Sequence, residues 1–279
     1  MRGEDVKGSL QFIGNATTLI HYGGFTLLTD PNFLRRGRRA YLGYGLTSRR
    51  LHDPAVRIED LPVVDAVLLS HLHGDHWDRV TRRGLDRDTQ ILTTTSAAGK
   101  LRRQGFGRSM GLRAWQQHEL RGPSGSVTVT ALPARHAPGP AQALLPPVIG
   151  TMLEFRDVEG LVELRMLISG DTLLDRSLEA IPRRFPDIDV ALVHLGGTKL
   201  LGALLVTMDG RQGAAWVDLM NPRSVVPIHF DDYAVFRSPL EEFHRHVEQA
   251  GLADRVVPLE RGETRELAPH RILQRGPSR

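Results

Sequence analysis

Val64-Asp-Ala-Val-Leu-Leu-Ser-His-Leu-His-Gly-Asp-His-Trp-Asp78 is the stretch on which the reading of this chain turns. Val67 to Leu69 is a short apolar run of strand character, and it breaks at Ser70 to deliver His71, His73, Asp75 and His76 within six residues. Imidazole and carboxylate are the ligands a borderline divalent cation prefers. Alternate residues of an extended loop point the same way, so His71 and His73 share one side. Asp75 and His76 turn toward a second position, and Gly74 is read as supplying the backbone freedom for that bend. Surface histidines on a polar loop are the bland alternative. It suits one histidine better than four ligand-type residues directly after a buried strand. Two adjacent metal positions are expected.

The chain has 279 residues, 41% of them hydrophobic and 24% charged, which is ordinary for a globular protein. It is read as one domain over 1–279, long enough to bury a core without staples. There is no cysteine, so metal ligands must come from His, Asp and Glu. The N-terminus is charged and lacks an apolar signal region, and no run approaches the roughly twenty apolar residues of a membrane span, so a cytoplasmic location is expected. The formal charge is only +4, weak support for nucleic acid as a partner. Basic residues do cluster: Arg35, Arg36, Arg38, Arg39, Arg49 and Arg50 lie in a segment at about 33–58 that reads as a long loop. It is either a solvated basic face or a cationic lid that receives an anionic substrate.

Residues 9 to 30 read as a β-meander closed by Asp30-Pro31. Arg79 to Leu85 reads as a short helix, Gln90 to Thr94 as a strand, and Ser96 to Gln104 as a helix capped by Ser96. Val127, Val129 and Leu132 mark a strand that ends near His136, followed by a Pro/Ala-rich loop at 139–150 that borders the site. Thr151 to Phe155 and Leu161 to Ser169 form a hairpin, whose second strand runs into Ser169-Gly-Asp-Thr172. Asp189 to Leu195 is a strand broken by Gly196-Gly197, and Met208 to Met220 a helix. Ser224 onward is a strand ending in His229. A capping box at Ser238-Pro-Leu-Glu241 opens a last helix, with His244 and His246 facing solvent, and residues 255 to 267 add a final strand or two.

Collected, the strand-end residues give His71, His73 and His136 for one metal and Asp75, His76 and His229 for the other, with Asp171 bridging. Two divalent ions are expected, Zn²⁺ first, with Mn²⁺ or Fe²⁺ accepted by the same set. A hydroxide between them is the expected nucleophile. Asp75 is assigned a catalytic role as well as a ligand role. His194, just before the Gly-Gly turn, is the second catalytic candidate, read either as a buried histidine bonded to backbone or as a group that orients substrate or protonates a leaving group.

This order of motifs resembles the metallo-β-lactamase superfamily. The signature His-x-His-x-Asp-His stands as His71-Leu-His73-Gly-Asp75-His76, and the later ligands match His136, Asp171 in Ser-Gly-Asp-Thr and His229 in Pro-Ile-His. Thr29-Asp30-Pro31 and Leu195-Gly-Gly are similar to the branch containing N-acyl-phosphatidylethanolamine-hydrolysing phospholipase D and ascorbate-phosphate lactonase. The resemblance implies an α/β fold, an αββα four-layer sandwich of two mixed β-sheets flanked by helices, with metals at one edge. It implies a dinuclear hydrolase cleaving an ester-type bond, phosphodiester or lactone, in a small anionic molecule. Histidine at 73 argues against the diiron oxygen-reducing branch. Asp171, where exported β-lactamases carry Cys or His, argues against antibiotic hydrolysis. A metal-binding sensor or scaffold without turnover, and a nuclease, are the alternatives.

Overall fold

The central strands of this chain are apolar in continuous runs because both of their faces are covered. The computed structural model describes residues 6–43, 45–200 and 204–272. Ala66 and Leu68 face one core, while their neighbours Val67 and Leu69 face another. Val190 and Leu192 face the first core as well, and Ala191 and Val193 a third. Such double burial requires two sheets face to face with a further layer outside each.

In chain order, β1 (Gly8–Gly14), β2 (Thr17–Tyr22) and β3 (Phe25–Thr29) form the expected meander. β4 (Arg39–Gly43) and β5 (Leu46–Arg49) pair as a hairpin, so the segment read as a long loop carries its own antiparallel ladder. β6 (Ala66–Leu68), α1 (Arg79–Gly84), β7 (Gln90–Thr94), α2 (Thr95–Arg103) and β8 (Ser109–Leu112) follow as strand-helix alternation. β9 (Gln117–Gly122), β10 (Gly125–Pro133), β11 (Ile149–Arg156) and β12 (Val162–Ile168) run antiparallel in turn. Next come α3 (Ala180–Arg184), β13 (Val190–His194), the short pair β14 (Lys199–Leu200) and β15 (Leu204–Leu205), α4 (Gly210–Met220), β16 (Ser224–Ile228) and α5 (Leu240–Gln249). β17 (Thr264–Ala268) and β18 (Arg271–Ile272) return beside β1.

The larger sheet has eight strands in the order β18-β17-β1-β2-β3-β6-β7-β8 and the smaller has six in the order β16-β13-β12-β11-β10-β9. Both are mixed, with β3 to β8 parallel through β6 and β7, and β12, β13 and β16 parallel. Trp216, Val217 and Met220 of α4 and Phe243 and Val247 of α5 cover the outer face of the smaller sheet. Leu101 of α2 covers the larger sheet together with Trp77 and Phe106. The architecture is the expected αββα sandwich. Two antiparallel steps make β10 run in the same direction as β12, β13 and β16, so all four C-terminal ends reach one edge.

Three helix starts differ from the sequence reading. Thr94, not Ser96, caps α2, because its Oγ1 accepts the Ala97 N–H at 3.2 Å. Asp209 caps α4 through Gln212 N at 2.8 Å, so that helix starts two residues after Met208. Ser238 does not cap α5; its Oγ accepts the Gly210 N–H at 2.8 Å and serves α4 instead. His244 and His246 are half-buried rather than solvent-facing. Residues Gly139–Leu144, read as loop, form a 3₁₀ helix.

Candidate metal centre

The loop after β6 is held from below by Asp30. The Asp30 Oδ1 accepts Ser70 N at 2.7 Å and Ser70 Oγ at 2.9 Å, so the chain leaves the strand in one direction. It then doubles back around the His73 carbonyl, which accepts the N–H groups of His76 and Trp77 at 3.1 and 2.8 Å. Asn15 Nδ2 donates to the Asp75 carbonyl at 2.6 Å and Asn32 Nδ2 to the Gly74 carbonyl at 3.0 Å. Asp30 at φ 33, Asn15 at φ 55 and His229 at φ 61 are held in the left-handed region. Such strain costs about 1–3 kcal/mol per residue and persists where surroundings over-determine it.

Gly74 has a different purpose from the one read in the sequence. Among glycines with positive φ it does not appear; a Cβ there would lie 2.6 Å from Tyr41 O and 2.7 Å from Tyr41 N. Glycine is needed because β4 crosses the loop at contact distance, sealed by Gly74 N donating to Tyr41 O at 2.8 Å. Gly74→Ala is therefore expected to push the hairpin away and destabilise the fold by about 1–3 kcal/mol, read as a lowered Tm.

Three imidazoles converge first. His71 Nε2 lies 2.9 Å from His73 Nδ1, and His136 Nε2 lies 3.2 Å from the same atom. Nitrogens at two corners of a tetrahedron around a zinc-sized ion would stand about 3.3 Å apart, close to these spacings. Asp75, His76 and His229 form the second group, with His229 Nε2 3.6 Å and His76 Nε2 3.9 Å from Asp75 Oδ2. Asp171 Oδ2 stands between the groups, 3.2 Å from His76 Nε2 and 3.9 Å from His71 Nε2. All seven residues named from the sequence are thus brought together.

On four of the five rings the other imidazole nitrogen is anchored. His136 Nδ1 donates to Val206 O at 2.7 Å and His229 Nδ1 to Leu195 O at 3.2 Å. His71 Nδ1 meets Ser70 Oγ at 3.0 Å, and His76 Nδ1 faces Asp30 Oδ2 at 3.3 Å. Those contacts leave the Nε2 lone pairs of these rings aimed inward. Asp75 Oδ1, Asp171 Oδ1, His76 Nε2 and His229 Nε2 are buried with no hydrogen-bond partner among the described residues. Orphaned buried polar atoms cost about 1–3 kcal/mol each, a cost that cations at these positions would remove.

The electrostatics divide the same way. Burial, then repulsion from neighbouring imidazoliums, holds His71 well below its usual range, and burial first, then His136, pulls His73 down to about 4. Burial also lowers His136. Burial thus favours the neutral form of all three rings, the form that can ligate a cation. At His76 and His229 burial works in the same sense, but Asp171 and its companion carboxylates outweigh it and raise both. Burial raises the cost of the Asp30 carboxylate, yet His76 and His194 overcome it and hold the group at about 2. Three buried carboxylates, Asp30, Asp75 and Asp171, thus call for positive charge, which fits divalent cations. Asp30→Ala is expected to loosen metal binding about 10- to 100-fold in a metal titration, because His76 loses its orienting partner.

A cavity of about 140 Å³ opens over His73, Asp75, His136 and Asp171. Leu42, Leu46 and Thr47 of the hairpin roof it, Leu145, Val206 and Val235 wall it, and Lys199 stands at its edge. None of the six clustered arginines lines it, so the cationic-lid expectation is corrected. Arg50 is fully buried, bound to Asp232 Oδ1 at 3.2 Å and to Asn32 O at 2.8 Å. His194, the second catalytic candidate, is fully buried behind His76, with Nδ1 3.1 Å from Ser169 Oγ and Nε2 3.5 Å from Asp30 Oδ2, and like His71, His76 and His229 it does not line the cavity. Sequence reasoning missed Asn15, Asn32, Ser70 and Lys199. A turn-forming Gly14-Asn15 pair was the only signal for any of them.

The model of the beta-lactamase superfamily domain matches residues 26–230. The UPF0173 metal-dependent hydrolase of Pyrococcus horikoshii is 27% identical over 259 residues, 92% of this chain and 99% of that one. Among solved structures, an isothiocyanate hydrolase from Delia radicum gut bacteria superposes with a TM-score of 0.78 at 23% identity, over 93% of this chain and 99% of that one. Igni18, a metallo hydrolase from the archaeon Ignicoccus hospitalis, superposes with a TM-score of 0.68 at 23% identity, covering 92% and 97%. With a matching domain over most of its length and a metallo-β-lactamase sandwich carrying seven inward ligand-type residues at one edge, this chain belongs to the beta-lactamase superfamily.

Proposed function

We propose that the chain is a metal-dependent hydrolase that holds two divalent ions, Zn²⁺ by preference, and cleaves a carboxylic ester or lactone in a compact, largely apolar molecule. The observation that carries this reading is the convergence of His71, His73 and His136 beside Asp75, His76 and His229, with Asp171 between them. Bound there, the ions supply Lewis acidity, polarising a carbonyl and drawing the pKa of a water toward neutrality. Asp75 Oδ1 has no other partner among the described residues and receives the proton of the attacking water. Leu42, Leu46, Leu145 and Val206 exclude bulk water and seat the acyl chain. Lys199, the one cation on the cavity among the described residues, orients the polar end of the substrate.

Cavity size and lining favour the carboxylic ester over the phosphodiester. About 140 Å³ equals the share of roughly five liquid waters, room for a short acyl group and not for a nucleotide strand. Thr29-Asp30-Pro31 and Leu195-Gly196-Gly197 support a place near the branch with the phospholipase and the ascorbate-phosphate lactonase. Protein reconstituted with Zn²⁺ or Mn²⁺ is to be assayed on short carboxylic esters, five- and six-membered lactones and phosphodiesters. Turnover of esters or lactones that His73→Ala abolishes is expected. Turnover of phosphodiesters alone, or none above the His73→Ala level with two ions verified per wild-type chain, would defeat the proposal.

A further inference from the structure

Outside the metal loop, on the far side of β4 from the catalytic cavity, lies a second cavity of about 330 Å³. Four cations from three elements line it: Arg39 of β4, Arg79 and Arg82 of α1, and Lys100 of α2. Arg79 and Arg82 are three residues apart on a helix and so share a face. Across the ridge that Arg79 forms, Arg35, Arg38 and Arg83 line an adjoining cavity. Several arginines elsewhere in this protein are ion-paired, Arg57 with Asp60, Arg135 with Asp175, Arg165 with Glu154 and Arg261 with Asp231. Arg79, Arg82 and Lys100, by contrast, have no side-chain partner among the described residues, and Arg39 reaches only Thr47 Oγ1 at 3.2 Å.

One carboxylate, Asp78, lines the same cavity, but it is 5% exposed and fully engaged. Its Oδ1 accepts Val80 N and Thr81 N, and its Oδ2 accepts Phe33 N and Leu34 N. The cations therefore face solvent as a positive patch without a free carboxylate beside them, and an anion would complement it. Below them the floor is apolar, formed by Leu72 and Trp77, and one wall is the ring of Tyr41, 58% exposed. Guanidinium forks match phosphate oxygens in pairs, and an uncovered aromatic ring offers a stacking face.

We propose that this outer cavity is a binding site for the di- or triphosphate group of a small molecule, separate from the metal centre. A volume of about 330 Å³ is the share of roughly eleven waters, enough for such a group and part of what it is attached to. The proposal stands on the unpaired cations and does not depend on the hydrolase reading.

Calorimetric titration of the metal-loaded full chain with inorganic triphosphate and with adenosine triphosphate tests it. One site per chain is expected, weakened about tenfold or more in Arg79→Ala/Arg82→Ala and in Lys100→Glu, and weakened by added salt. Because α1 and α2 carry these side chains on the surface, the variants should melt like the wild type. His73→Ala should bind equally well, which separates this site from anions captured by metal. Tighter binding of the nucleotide that Tyr41→Ala removes identifies a nucleotide ligand, and equal affinity identifies the phosphate chain alone; both support the proposal. Unchanged affinity in Arg79→Ala/Arg82→Ala, loss of binding in His73→Ala, or preference for single-stranded RNA that grows with its length would overturn it.

Discussion

His136→Ala is expected to lower the metal content from two ions per chain toward one and to reduce kcat/KM on any substrate of the wild type by about a thousandfold. His136 is 2% exposed and is the one member of its group supplied by the smaller sheet, just past the end of β10. Its Nε2 sits 3.2 Å from His73 Nδ1, so its removal leaves two imidazoles and a more distant carboxylate for the first position. A thousandfold corresponds to about 4 kcal/mol of transition-state stabilisation, within the several kcal/mol attributed to Lewis-acid catalysis. The Val206 carbonyl also loses its donor, which adds about 1–3 kcal/mol of destabilisation if water cannot reach it. Elemental analysis and steady-state kinetics on the same preparation check the result. Full activity with two ions bound would remove His136 from the ligand set.

Arg50→Met should cost about 3–5 kcal/mol of stability and lower Tm by roughly 10 °C. Neither Arg50 nor Asp232 reaches solvent, and removal of the cation leaves a buried carboxylate with Arg261 as its remaining counter-ion. Asn32 loses the donor to its carbonyl, and Asn32 is the residue that holds the Gly74 carbonyl of the metal loop. Loss of stability should therefore be accompanied by weaker metal binding. Arg49, its exposed neighbour, is the control: Arg49→Met is expected to stay within about 0.5 kcal/mol of the wild type. Urea unfolding of the two variants distinguishes them, and equal midpoints would refute a structural role for Arg50.

The contrast between Arg49 and Arg50 shows where reading from sequence stops. Both belong to one basic run and are chemically identical. One is exposed on β5, and the other is tied to a residue 182 positions away. No local pattern carries that pairing. Gly74 was legible as a special position but not for the right reason, since the strand that crowds it comes from a hairpin read as loop. His194 is the same kind of case. The sequence left a strand-end histidine beside a Gly-Gly turn open between a buried and a substrate-facing place, and only the tertiary packing stacks it behind His76 with no exposed surface.

By itself the sequence determined the donor chemistry and its order along the chain. Without cysteine the ligands had to be imidazole and carboxylate, and four of them fall in six residues after one apolar strand. The layered fold was legible through the family resemblance that His71 to His76, His136, Asp171 and His229 carry, and the structure adds that its central strands are buried on both faces. Tertiary structure alone decided which face of the hairpin meets the cavity over His73 and His136, placing Leu42, Leu46 and Thr47 there while Arg39 lines the other cavity. It also decided that Arg50 became a buried strut while Arg79 and Arg82 stayed exposed with no side-chain partner among the described residues. The physical reason is range: periodicity and turn chemistry act over a few residues, whereas charge pairing and backbone crowding depend on segments that meet only after both sheets have assembled.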